Sequence, residues 1–241
     1  MDQTLTAFVT GADRGLGYAL CAGLLARGWQ VFAGQNLPEW PQLTELGDRY
    51  PGALRTVPLE VRSGDSVQAA AQAVAGQTDR LDLLINNAGV NSPTSPRPIR
   101  EPQDYAEMQR LYDINALGSL RIVEAFLPLT QTSALKRLCF VSSEAGSIGR
   151  AERTSWFGYT MSKAALNMAT RILFNDLRPD GYTFRVYHPG WIRSYISGVK
   201  GTEADLEPEE AAVPALAYFL DAEIDETVLA LRDYRGETWP W

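Results

Sequence analysis

Thr10-Gly11-Ala12-Asp13-Arg14-Gly15-Leu16-Gly17 is the stretch that decides the fold. It follows a short apolar run, Leu5 to Val9, and leads into a helical pattern from Tyr18 to Leu25. A strand that passes through a glycine-rich turn into a helix makes an anion cradle. The glycines accept positive φ and let backbone N–H groups approach a phosphate with no Cβ in the way. The helix N-terminus adds partial positive charge, so the placement predicts a dinucleotide pyrophosphate at this turn.

The alternation continues along the chain. Trp29 to Gly34, Leu54 to Leu59, Leu81 to Asn86, Leu138 to Ser142, Tyr182 to His188 and Val228 to Leu231 read as strands. Helical patterns fall at Leu43 to Tyr50, Asp65 to Ala75, Asp104 to Leu129, Tyr159 to Leu177 and Glu209 to Leu220. Strands separated by helices predict an α/β protein with a doubly wound, Rossmann-type parallel sheet of about seven strands, helices covering both faces. No repeat or linker divides it, so residues 1–241 are expected to form one dinucleotide-binding catalytic domain.

Composition narrows the function. The 241 residues carry 22 Lys+Arg against 29 Asp+Glu, a formal charge of −7, which argues against a nucleic-acid or anionic-membrane partner. One histidine and no C-x-x-C leave no zinc ligand set, so no metal is expected. Cys21 and Cys139 sit in apolar segments and read as buried, reduced thiols. Met1-Asp2-Gln3-Thr4 starts acidic and reaches a strand pattern at once, so no secretory leader and a cytoplasmic location are expected. No apolar run approaches the ~18 residues of a membrane span.

Tyr159-Thr160-Met161-Ser162-Lys163 opens a helix, and positions i and i+4 share one face. A phenol is a poor proton donor and acceptor near neutrality unless its anion is stabilised; an ammonium one turn away, with the charge of an oxidised nicotinamide, would lower its pKa.

With its preceding threonine, the G-x-x-x-G-x-G turn resembles that of the short-chain dehydrogenase/reductase family, and the likeness extends over nearly the whole chain. It implies coenzyme contacts from Gly11, Asp13, Arg14, Gly15, Leu16 and Gly17 around the phosphates. Gln35 and Asn36 stand where adenosine-ribose specificity is decided; neither is acidic, and Arg14 is placed to meet a 2′-phosphate. NADP(H) is therefore the expected coenzyme, with NAD(H) the alternative. Glu60 and Val61 fall near the adenine, and Asn86-Asn87-Ala88-Gly89 resembles the family's N-N-A-G segment, so Asn87, Ala88 and Gly89 join the coenzyme set. Pro189, Gly190, Trp191, Ile192 and Ser194 fall beside the nicotinamide. His188 reads as a hydrogen-bonded strand-end residue rather than a base.

The same resemblance implies that Ser143 orients the reacting oxygen (Ser142 is the alternative) and that Tyr159 transfers the proton. Lys163 tunes Tyr159 and binds ribose, and Asn115 holds a relay water. The gap between Ser143 and Tyr159 is slightly longer than usual, the extra residues falling in Arg150 to Trp156. Ser143, Trp156, Trp191 and Tyr195 are expected to line the substrate, under a lid at 191–208. The activity implied is interconversion of a carbonyl compound and its alcohol. The alternatives are a cofactor-binding signalling or redox-sensing protein with little turnover, and a lyase or epimerase. Tyr234 to Trp241 resembles the ending of a subgroup with C-factor-like and carbonyl-reductase-like members. Apolar surface on Asp104–Leu129 and Tyr159–Leu177, which relatives pair across two-fold axes, implies a homodimer or homotetramer.

Overall fold

The computed structural model describes residues 4–241; Met1 to Gln3, part of the leader reading, lie outside them. Eight strands form one sheet: β1 (Thr6–Val9), β2 (Gln30–Gln35), β3 (Leu54–Pro58), β4 (Leu83–Asn86), β5 (Arg137–Val141), β6 (Thr183–His188), β7 (Leu231–Asp233) and β8 (Thr238–Trp239). Their order is β3-β2-β1-β4-β5-β6-β7-β8, parallel except for β8. The direction of winding reverses between β1 and β4, where an open α/β sheet leaves a crevice at its carboxyl ends.

Strand alternation sorts the core. Ala7 and Val9 of β1 pack with α1 (Gly15–Leu25), α2 (Gln42–Arg49) and α7 (Pro208–Leu220). Phe8, between them, faces the other side and meets Phe126 at 4.3 Å between ring centroids. That side is covered by α3 (Gly64–Ala75), α5 (Gly118–Gln131) and α6 (Phe157–Leu177). Cys21 and Cys139 are both buried and free. No helix among the described residues is long and apolar enough to cross a membrane.

Two readings are corrected. The stretch Asp104–Leu129 is not one helix: α4 (Tyr105–Tyr112) passes through a π-helical segment, Asp113–Leu117, before α5 begins. The last parallel strand is Leu231–Asp233 rather than Val228–Leu231, because Asp225 accepts from the Thr227 N–H and hydroxyl and holds the chain in a turn there. An eighth strand returns along β7 after a turn in which Asp233 accepts from the N–H groups of Arg235 and Glu237 and from the Trp239 indole.

Beneath β5 and β6, Arg185 is wholly buried, and its guanidinium donates to both oxygens of Glu226 at 2.7 and 2.9 Å. Arg137 reaches the same carboxylate at 3.3 Å and the carbonyls of Phe219 and Asp221. One acid thus compensates two cations and ties the α7–β7 connection to the sheet. Removing it leaves uncompensated buried charge. Glu226→Ala is expected to cost about 3 kcal/mol in urea denaturation, with Glu226→Gln intermediate.

Candidate active site

The glycine turn leaves β1 at the crevice. Gly11 and Gly15 have φ of +62° and +58°, and a Cβ on Gly11 would come within 2.9 Å of the Ala88 backbone. At Gly17 a Cβ would run into the Gly11 carbonyl. The turn is locked to the end of β4 by side chains. Thr10 Oγ1 accepts from the N–H groups of Asn87 and Ala88, both at 2.9 Å. Asn87 Nδ2 in turn donates to the carbonyls of Thr10 (2.9 Å) and Gly11 (3.1 Å). Buried Asp13 accepts from the N–H groups of Asn36 (2.9 Å) and Leu37 (2.7 Å), fixing the loop after β2. An acid in a phosphate cradle is therefore already occupied by backbone donors.

On the other side of the crevice, Asn115 lies within the π segment, fully buried. Its side chain accepts from the Val90 N–H at 2.8 Å and donates to the Val90 carbonyl and to Ser162 Oγ, both at 2.9 Å. Ser162 Oγ donates to the Tyr159 carbonyl at 2.7 Å, so Asn115 is joined to the helix that carries Tyr159. Lys163 Nζ donates to the Val141 carbonyl at 3.0 Å and sits 5.9 Å from the centroid of the Tyr159 ring. Burial lowers its pKa to about 8.

Ser143 is the extended residue that opens a 3-10 turn, Glu144–Gly146, and its hydroxyl accepts from the Ala145 N–H at 3.1 Å. The Ser143 side chain also acts on the Tyr159 phenol, favouring its anion, and both line the same cavity. Ser142 instead points into the fold and donates to Asn167 Oδ1 at 2.6 Å. Burial pushes Tyr159 up to about 12, against which the Ser143 side chain is a smaller, opposing effect; desolvation of a phenolate dominates.

A cavity of about 920 Å³ joins the two sides. It is lined by every expected coenzyme residue except Gln35, and by Ser143, Trp156, Trp191 and Tyr195. Gln35 ends β2 with its carbonyl accepting from the Leu59 N–H, and Asn36 and Leu37 take the rim position instead. Asn115 stands behind the wall, in keeping with its side-chain bonds to Val90 and Ser162. Tyr195 lines the cavity from its glycine-loop end: its ring lies on Arg14, 4.4 Å from the guanidinium to the ring centroid. His188 also lines the cavity, but its buried Nδ1 has no hydrogen-bond partner among the described residues, and the ring packs edge-on against Tyr234 and Trp239. That packing replaces the hydrogen bond expected from sequence.

Sequence reasoning missed a charged pair on the wall. Arg153 donates to both oxygens of Glu144 at 2.6 and 2.8 Å and lies 5.8 Å from the Trp156 ring centroid. Its signal was the extra length before Tyr159, which brings Arg153 back over the turn that follows Ser143.

A family model described as short chain dehydrogenase matches residues 5–204. C-signal of Myxococcus xanthus is 38% identical over 164 residues, covering 68% of this chain and 95% of that protein. The structure of NADPH-bound carbonyl reductase from chicken fatty liver superposes with a TM-score of 0.87 at 29% identity, over 99% of this chain and 100% of that one. A carbonyl reductase from Pseudomonas aeruginosa PAO1, in complex with NADP, gives 0.80 at 27% identity over the same shares. A glycine turn and a Ser143–Tyr159–Lys163 group on one cavity thus coincide with a match over most of the sequence, and the chain belongs to the short-chain dehydrogenase family, whose members are nicotinamide-dependent oxidoreductases.

Proposed function

We propose that the protein interconverts a carbonyl compound and its alcohol using NADP(H). The observation that carries this reading is the meeting of the Ser143 hydroxyl and the Tyr159 phenol on a cavity wall shared with Lys163. The coenzyme fits the residues present: a tight turn in which Gly11 and Gly17 leave no room for a side chain against neighbouring backbone, and a cation, Arg14, beside a rim with no acid at residue 35 or 36. Carbonyl reductases of similar structure hold NADPH or NADP. When bound, the nicotinamide supplies or takes up the hydride.

The remaining work belongs to the chain. Ser143 donates to the substrate oxygen and fixes it beside Tyr159. In the reducing direction Tyr159 protonates that oxygen from its phenol form, the form burial favours. In the oxidising direction the phenolate must form, and the Lys163 ammonium together with the positive charge of the oxidised nicotinamide offsets the burial. Asn115 holds the π segment against Val90 and supports a water relay toward Lys163. Trp156 and Trp191 offer apolar walls to the substrate, and residues 191–208 act as the lid of one catalytic domain. Exposed Tyr105 and Tyr112 on α4 and Met161, Met168 and Ile172 on α6 support pairing into a homodimer or homotetramer. We place the protein in the cytoplasm.

A second reading rests on similarity to the protein named C-signal: a signalling or redox-sensing protein that binds coenzyme with little turnover. Tyr159→Phe separates the two. Turnover of a panel of aldehydes, ketones and quinones with NADPH should fall by about 100-fold or more while NADPH affinity stays within about twofold. Absent turnover in the unaltered protein, or undiminished turnover in the variant, would overturn the enzymatic reading.

Lys163 also makes a stability prediction. Its pKa is about 8 folded against an ordinary 10.5, so between these values the unfolded chain binds more protons and stability rises with pH. The penalty for burying the ammonium is complete below pH 8. Lys163→Met should therefore be more stable than the unaltered protein at pH 7 by about 2 kcal/mol after allowing for the lost bond to Val141. Thermal denaturation should show that gain shrinking toward pH 10.

A further inference from the structure

Arg14 is held in an unusual way for a surface cation. It is the N-cap residue of α1, in extended conformation, so its side chain leaves the helix rather than lying along it. Its guanidinium carbon lies 4.4 Å from the centroid of the Trp40 ring and 4.4 Å from that of the Tyr195 ring. The two rings meet edge to face, 5.0 Å apart. Among the described residues no acceptor or acid engages the guanidinium itself. The neighbouring carboxylate, Asp13, accepts from the Asn36 and Leu37 N–H groups instead. A guanidinium against ring faces is restrained through its π surface and keeps its in-plane N–H donors for an anion.

The three residues come from three separate parts of the chain. Arg14 belongs to the glycine turn, Trp40 to the loop between β2 and α2, and Tyr195 to the stretch between β6 and α7. That stretch is pinched at its base by the bridge between Ile192 and Leu206 and is otherwise tied to the body where the Asn91 N–H donates to the Ile196 carbonyl at 2.7 Å. It also carries Trp191, Ile192 and Ser194, which line the cavity. A contact at Tyr195 therefore acts on the segment that covers the other end of the coenzyme cavity.

We propose that Trp40 and Tyr195 are positioning residues that clamp Arg14 for an adenosine 2′-phosphate, and that binding of this phosphate fastens the 191–208 segment through Tyr195. The proposal rests on the NADP(H) reading and goes beyond it. The phosphorylated coenzyme is selected by a caged cation, and the same contact reports its binding to the lid. Neither ring touches the phosphate; both act through the arginine.

The experiment uses the full chain and two probes without nicotinamide, adenosine 2′,5′-bisphosphate and ADP. Calorimetry gives their affinities, and limited trypsin digestion reads the lid through Arg193 and Lys200, both partly exposed. In the unaltered protein the bisphosphate should bind about tenfold or more tighter than ADP and, at saturation, slow cleavage at both sites several-fold more. In Tyr195→Leu the preference should fall to within about twofold with ADP affinity unchanged, and the extra protection should vanish. Tyr195→Phe, which keeps the ring, should restore both. Trp40→Leu should lose the preference as well; if it fails to fold, the Tyr195 pair decides. Equal affinities for the two probes in the unaltered protein would sink the coenzyme reading and the clamp with it. A preference that survives Tyr195→Leu would overturn the clamp alone.

Discussion

A buried ammonium is the constraint around which this molecule is arranged. Lys163 is 3% exposed, and a charge at such a place needs either an acid or well-placed dipoles. Among the described residues no acid is supplied. The Nζ donates to the Val141 carbonyl at the end of β5 and otherwise faces the cavity. Room for it is made at Gly89, where a Cβ would stand 3.4 Å from Nζ and 3.4 Å from Asn115 Oδ1. The loop after β4 and the end of β5 therefore meet the lysine nitrogen, and Gly89 packs between it and Asn115 of the π segment. An acid partner would have stabilised the fold more and left the phenol without a free cation beside it.

The π segment follows from the same demand. An unbroken α-helix from Tyr105 to Gln131 would present Asn115 one register away from Val90, and the side chain could not bond both the Val90 N–H and its carbonyl. Widening the turn over Asp113–Leu117 places that amide against the strand-end loop, and Arg121 secures the widened turn by pairing with Asp113 at 2.7 Å. The interruption costs helix regularity but connects Val90, Ser162 and Tyr159 through side-chain bonds.

Local chemistry made the site legible from sequence. The glycine turn announces itself because positive φ and close backbone approach leave few residue choices, and the Tyr159–Lys163 pair is readable because helical spacing is fixed. Features that depend on distant segments were not readable. Trp40 looks like a loop aromatic until Arg14 and Tyr195 are brought to it. Gln35 and Asn36 are neighbours in sequence, and only the end of β2 decides which reaches the rim. A two-residue strand, Thr238–Trp239, carries too few residues for a periodic signal; its place is set by Asp233 gathering three donors.

That terminal strand also bears on the active site. Beyond it the Pro240 carbonyl accepts from Ser147 Oγ at 2.5 Å, and the Trp241 carbonyl accepts from the Gly149 N–H at 3.0 Å. Arg150 lies 4.7 Å from the Trp239 ring centroid. The last residues of the chain thus brace the segment that starts at the Ser143 turn and continues into the loop bearing Arg153. Ser143 and Tyr159 line one cavity, and the loop leading to Arg153 leaves the Ser143 turn. A longer loop increases the conformational freedom its anchors must restrain. Here the restraint comes from both ends of that excursion: the Glu144–Arg153 pair closes it near the phenol, and the chain terminus holds it where it departs.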